Sequence, residues 1–223
     1  MRFRKIKNLE ARRSQCDSLR IPYELSSFDY RTQKENPNYL SPAEIFGRNA
    51  PLEMEIGCGK GQFICEYAKK HPEKNLIAVE CVQGVLVEAC EKAIEYGVEN
   101  VRFLEMKAEY LPLFIENGSL DCIFLNFSTP YPKNRHESRR LTSPAFLEIY
   151  KALLKDGGKL LQKTDSEAFF DYSVNSLKEN GFKIEYLTRD LYSENDRENI
   201  PTEYEQRFVG LGMPIYKLTA VKE

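Results

Sequence analysis

Leu52-Glu53-Met54-Glu55-Ile56-Gly57-Cys58-Gly59-Lys60-Gly61 decides the reading of this chain. Its first five residues read as a short strand. The glycines behind them allow a sharp turn and a close approach of backbone to a ligand. Phe63, Ile64, Tyr67 and Ala68 then recur at helical spacing. A strand passing into a helix through alternating glycines is either a plain tight turn or a nucleotide-binding loop.

Working outward, strands and helices alternate. Residues 75–80 form a second strand with the apolar core Leu76-Ile77-Ala78-Val79, and Val82, Val85, Leu86, Ala89, Cys90 and Ala93 define a helix stopped by Gly97. Strands are expected at residues 101–106, 121–127, 159–163, 182–187 and 215–221. Helices are expected at 146–154, ended by Gly157-Gly158, and at 168–177. This alternation implies a parallel sheet with helices on both faces, and near-continuous apolar strands are what such a sheet needs. The last two strands, joined by residues 189–207, suit an antiparallel edge. An α/β fold with a seven-stranded, mostly parallel sheet and an antiparallel edge strand is the Rossmann-like arrangement of class I methyltransferases. Residues 14–50 carry polar and turn-forming residues without a sustained period. The expected organisation is a basic, irregular N-terminal extension (1–50) and a single domain (51–223).

Charge distinguishes the ligands a glycine loop could hold. A pyrophosphate wants bare amides at a helix N-terminus, and a carboxylate beside it repels. Glu55 stands two residues before the first glycine. S-adenosylmethionine has no phosphate, and its sulfonium and ammonium attract a carboxylate. Glu80, at the end of the second strand, is placed to accept both ribose hydroxyls.

With 223 residues, 42% hydrophobic and 30% charged, the chain can bury a substantial core and is not disordered. No apolar run suits a membrane span, and the basic start lacks the apolar core of a signal peptide, so a cytoplasmic location without membrane contact is expected. The six cysteines form no C-x-x-C pair and there are only two histidines, which excludes a zinc framework and predicts free thiols. Arg2, Arg4, Lys5, Lys7, Arg12 and Arg13 face one acid, Glu10, while the formal charge of the whole chain is −2. A second basic knot holds Lys133, Arg135, Arg139 and Arg140 with His136. Two basic patches on an acidic protein suggest selective phosphate contacts rather than general coating of nucleic acid.

The fourth strand runs into Asn126-Phe-Ser128-Thr129-Pro130-Tyr131-Pro132-Lys133-Asn134-Arg135-His136-Glu137-Ser138-Arg139-Arg140-Leu141-Thr142. Prolines, an aromatic ring and several bases in one long loop suit base stacking with cationic phosphate contact.

These residues, with Lys163-Thr164-Asp165 and Thr202-Glu203-Tyr204-Glu205, resemble the bacterial tRNA (guanine-N7)-methyltransferase family. Its pattern NFSDPWPKKRH-x-x-RRL reads NFSTPYPKNRHESRRL here, and the resemblance spans residues 50–218. It implies methyl transfer from S-adenosylmethionine, without a metal, to N7 of a guanine in tRNA by a monomer or homodimer. The implied cofactor-binding residues are Glu55, Gly57, Gly59, Glu80, Lys107, Ala108, Asn126 and Thr129. Substrate contacts fall to Lys133, Arg135, Arg139, Arg140, Asp165, Thr202, Glu203, Tyr204 and Glu205, with Thr129 and Asp165 catalytic. Three positions depart from the pattern. Thr129 replaces an Asp credited with catalysis, Lys107 replaces an Asp facing the adenine amino group (Glu109 follows two residues on), and Tyr131 replaces a tryptophan. A diverged cofactor- or RNA-binding paralogue, or an enzyme for another RNA position, is the alternative.

Overall fold

Apolar runs become strands, the central ones buried on both faces, and amphipathic runs become the helices covering them. The computed structural model describes residues 7–22, 35, 37, 39–194, 196 and 198–223. In chain order the elements are α1 (Leu9–Gln15), α2 (Pro42–Phe46), β1 (Leu52–Ile56), α3 (Gln62–Lys70), β2 (Asn75–Glu80), α4 (Gln83–Tyr96), β3 (Val101–Glu105), β4 (Leu120–Asn126), α5 (Pro144–Leu153), β5 (Leu154–Thr164), α6 (Glu167–Glu179), β6 (Phe182–Thr188), α7 (Glu203–Val209) and β7 (Tyr216–Lys222). Short 3-10 turns lie at Ala108–Leu113, Asn134–Arg139 and Leu191–Glu194.

The seven strands are ordered β3-β2-β1-β4-β5-β7-β6. The first five in that order are parallel, and β7 runs antiparallel to both β5 and β6. The expected antiparallel edge is therefore a pair, with β7 reversed and β6 outermost. Strand alternation loads both faces. Met54, Ile77, Val79 and Leu125 pack with Leu147 and Phe170 on one side, while Leu76, Ala78 and Phe124 pack with Ile64 and Ala89 on the other. The chain winds outward from β1 to β3, then crosses back to β4. The gap beyond the carboxyl ends of β1 and β4 is thus the switch point where such sheets take ligands.

Two expectations need correction. Gly157-Gly158 does not end a helix. α5 stops at Leu153, and the glycines sit in a bulge of β5, where pairing with β4 jumps from Leu120↔Leu154 to Cys122↔Lys159. A Cβ on Gly158 would come within 2.8 Å of the Lys155 carbonyl, so the bulge needs that glycine. Nor is the described part of the N-terminal extension wholly irregular. α1 docks on α4 through an Arg12–Glu91 pair at 2.5 Å, and residues 19–21 run beside β3 with a parallel bridge, Arg20↔Phe103. Arg2, Arg4 and Lys5 lie outside the described residues.

All six cysteines are free thiols, only Cys81 of them exposed. Among the described residues no helix is long and apolar enough to cross a membrane.

Candidate cofactor and substrate site

Gly57 and Gly59 have φ of 79° and 56°, and a Cβ on either would meet nothing within 4 Å. Their backbone conformation requires glycine, and the space beside them is open. Gly61 is confined instead: its Cβ would lie 2.8 Å from that of Ala89, so α3 starts in contact with α4.

Glu55, on β1 under this loop, is 2% exposed. Its Oε1 accepts from Asn126 Nδ2 at 2.8 Å, which joins the ends of β1 and β4, while Oε2 has no partner among the described residues. Burial pushes its carboxyl up to about 7, against the opposing effects of the Asn126 hydrogen bond and the Lys163 charge. A buried carboxylate oxygen left open beside a glycine loop has the chemistry to accept from a cation.

Glu80, at the tip of β2, accepts from the amides of Cys81 and Val82 through Oε1, at 2.8 and 2.9 Å, and from Gly59 through Oε2 at 3.3 Å. It ties the glycine loop to the start of α4. Glu80 also lines a cavity of about 530 Å³ that takes its walls from the ends of β1, β2 and β3 and from the loop after β4. Ile56, Val79, Met106, Ala108, Phe146 and Ile149 give this cavity an apolar interior; Lys107, Glu109, Tyr131 and Arg139 stand around it. This is a slot for a flat, mostly apolar group with a few polar edges.

The loop after β4 is held in a strained form. Phe127 and Tyr131 have φ of 51° and 40°, a region costly for residues with a Cβ. Phe127 N–H donates to the Lys163 carbonyl at 2.8 Å. The Tyr131 carbonyl accepts from Arg140 Nη2 at 3.1 Å and from Nε at 3.3 Å, and the Arg140 guanidinium lies 4.3 Å from the Tyr172 ring centre. Arg140, expected to meet phosphate, is thus committed to the loop's own backbone. Arg139 covers the Tyr131 ring, and Thr129, Lys133, Arg135 and Arg139 are exposed. Replacing Arg140 with alanine is expected to leave the salt dependence of RNA binding unchanged, whereas Lys133→Ala or Arg135→Ala should each lower the slope of log affinity against log salt by about 0.7–0.9. Filter-binding titrations across a salt series check this.

Lys163, at the end of β5, is 5% exposed and points under the loop that follows β6. Its Nζ donates to Asn199 Oδ1 at 3.1 Å, the Ile200 carbonyl at 2.8 Å and Glu205 Oε2 at 2.6 Å. Burial pulls its ammonium below the usual lysine range, opposed by Glu205 and Glu55. Glu205, expected to face the substrate, is instead 0% exposed, because it also accepts from Asn199 Nδ2 at 2.6 Å and Tyr192 OH at 3.0 Å and closes a capping box with Thr202. Its reach to a substrate is through the placement of α7, whose first residues Glu203 and Tyr204 are exposed. Glu203 pairs with Lys92 at 2.6 Å. Asp165, half-buried just past β5, has no hydrogen bond or ion pair among the described residues. Lys163, Tyr192 and Asn199 had no role in the sequence reading. Its place at the end of the expected strand 159–163 was the available signal for the first, whereas nothing local marks the other two. Among the described residues no group of three or more His, Cys, Asp or Glu is placed to hold a metal ion.

Similarity to known proteins identifies the family. A family model described as "Putative methyltransferase" matches residues 49–218. A tRNA (guanine-N(7)-)-methyltransferase of Listeria welshimeri is 45% identical over 177 residues, covering 79% of this chain and 83% of that protein. One from Geobacillus kaustophilus is 45% identical over 179 residues, covering 80% and 82%. The solved 16S rRNA methyltransferase KamB shares the fold, with a TM-score of 0.63 at 14% identity, over 81% of this chain and 91% of that one. A glycine loop between two carboxylates, the strained loop after β4 and the capped α7 thus occur in a chain that belongs to the tRNA (guanine-N7)-methyltransferase family.

Proposed function

We propose that this chain transfers the methyl group of S-adenosylmethionine to N7 of a guanine in tRNA. Family membership supplies the reaction, and the open oxygen of buried Glu55 is the observation that carries it to this site. The residues present fit the cofactor: an unpaired buried carboxylate suits an ammonium, open positive-φ glycines leave room beside it, and an apolar slot suits adenine. When bound, S-adenosylmethionine supplies an electrophilic methyl group on a cationic sulfur.

In this reading Glu55, oriented by Asn126, holds the amino acid end, and Gly57 and Gly59 let the backbone approach it. Glu80 accepts ribose hydroxyls while keeping its bonds to the loop amides. Lys107, Ala108 and Thr129 border the cofactor. N7 of guanine carries its own lone pair, so no base must remove a proton. The protein's task is to align N7 with the methyl group and to stabilise the positive charge that develops on the purine. Asp165, with no hydrogen bond or ion pair among the described residues, serves the second task. Lys133, Arg135 and Arg139 meet tRNA phosphates, and Thr202, Glu203 and Tyr204 border the guanosine, held by Glu205 from beneath. A cytoplasmic location follows from the substrate.

The test is incubation with S-adenosylmethionine labelled on its methyl group and unmodified tRNA, followed by nucleoside analysis. Labelled 7-methylguanosine is expected. Cofactor and tRNA binding with no labelled nucleoside would favour a binding paralogue, as the missing Asp at 129 would allow. Affinity for the cofactor should also depend on pH. A cationic occupant favours ionised Glu55, whose carboxyl sits at about 7 in the free protein, so binding releases a proton below that pH. Affinity should rise roughly tenfold per unit toward pH 7 and level off above it. Calorimetry between pH 5.5 and 7, in buffers of different ionisation enthalpy, reads both the affinity and the proton.

A further inference from the structure

The cavity contains two opposite charges that the fold does not use. Lys107 and Glu109 both line it, both are exposed, and neither side chain has a hydrogen bond or ion pair among the described residues. The other carboxylate of the lining, Glu80, is already bound to three backbone amides. On the reading above, Glu80 meets the ribose, so the base lies further along the cavity, toward the turn that follows β3. There the walls are apolar, from Met106, Ala108, Phe146 and Ile149, and they grip the faces of a purine without telling one purine from another. Discrimination falls to whatever polar group meets the ring edge.

We propose that Glu109 is the residue that selects the 6-amino purine of the cofactor, taking over from position 107, where this chain carries a lysine. The inference rests on the cofactor assignment just made. Adenine presents an amino donor at C6 beside the N1 acceptor. A carboxylate accepts from the amino group and repels the oxygen that replaces it in hypoxanthine. Lys107 alone would favour the opposite choice, because an ammonium donates well to a 6-oxo group. The balance of the two sets the preference, and the unpaired carboxylate sways it toward adenine.

Calorimetric binding of S-adenosylhomocysteine and of its deaminated counterpart, S-inosylhomocysteine, tests the proposal without recourse to activity. The wild type should prefer the adenosyl compound by about ten- to a hundredfold, as expected for a hydrogen bond to a charged group. Glu109→Gln should erase most of that preference, since an amide serves either edge, while Lys107→Met should keep or widen it. An unchanged preference in Glu109→Gln would overturn the proposal even though the cofactor site stands. Loss of the preference in Lys107→Met but not in Glu109→Gln would also overturn it, by assigning selection to the lysine. If the wild type bound neither compound, the cofactor assignment itself would fall, and this inference with it.

Discussion

Lys163→Met is expected to cost about 3–5 kcal/mol of folding stability, as breaking a buried ion pair from one side does. Glu205 is 0% exposed and would keep its charge opposite a thioether, with only Asn199, Tyr192 and the Thr202 amide left to satisfy it. Glu55 would lose the nearby cation that helps to hold its carboxylate form. Urea denaturation measures the loss, and the double variant Lys163→Met with Glu205→Gln should recover part of it, because the amide removes the stranded charge. A single variant within about 1 kcal/mol of wild type would mean that the pair contributes little beyond its own desolvation.

Asp165→Asn is expected to slow methyl transfer by about 10²–10³ in single turnover with saturating tRNA, the usual cost of removing one group aimed at developing charge. Phe127 N–H bonds the Lys163 carbonyl at 2.8 Å, so the segments carrying Thr129 and Asp165 leave adjacent strands side by side. Thr129 offers a hydroxyl dipole, and Asp165 has no hydrogen bond or ion pair among the described residues. The affinity for tRNA should stay near wild type, because the effect belongs to the transition state. Thr129→Asp should raise the rate, and more so in the Asp165→Asn background, where it restores a missing charge. A rate untouched by Asp165→Asn would move the electrostatic role away from β5.

The elements closest to the site were also the most legible. β1 and β2 match their expected bounds because apolar runs closed by glycine and glutamate leave little freedom in register. Glu55, Glu80 and the glycines fall at the carboxyl ends of β1 and β2, as the two apolar runs imply, but the bond that orients Glu55 comes from Asn126 on β4 and had no local signal. The intramolecular bonds of Arg140 and Glu205 were not legible in the sequence. Their partners, Tyr131 and Tyr172 for one and Lys163, Tyr192 and Asn199 for the other, are brought in by the fold. A charged residue in a motif looks the same in sequence whether it faces ligand or backbone. Gly157-Gly158 was misplaced because a bulge and a helix stop call on the same backbone freedom.

Residues 19–21 bear on how molecules of this protein meet one another. β3 closes one side of the sheet, and such a margin invites pairing with another chain. Here Phe103 donates to the Leu19 carbonyl at 2.8 Å and its own carbonyl accepts from Ile21 N–H at 2.9 Å, so a short piece of the same chain fills those positions. The opposite margin, β6, exposes Lys183 and Glu185, whose charges discourage intermolecular stacking. The leading segment therefore also guards colloidal behaviour: a shortened chain lacking it would present the β3 margin, with Phe103 in its middle, to every collision.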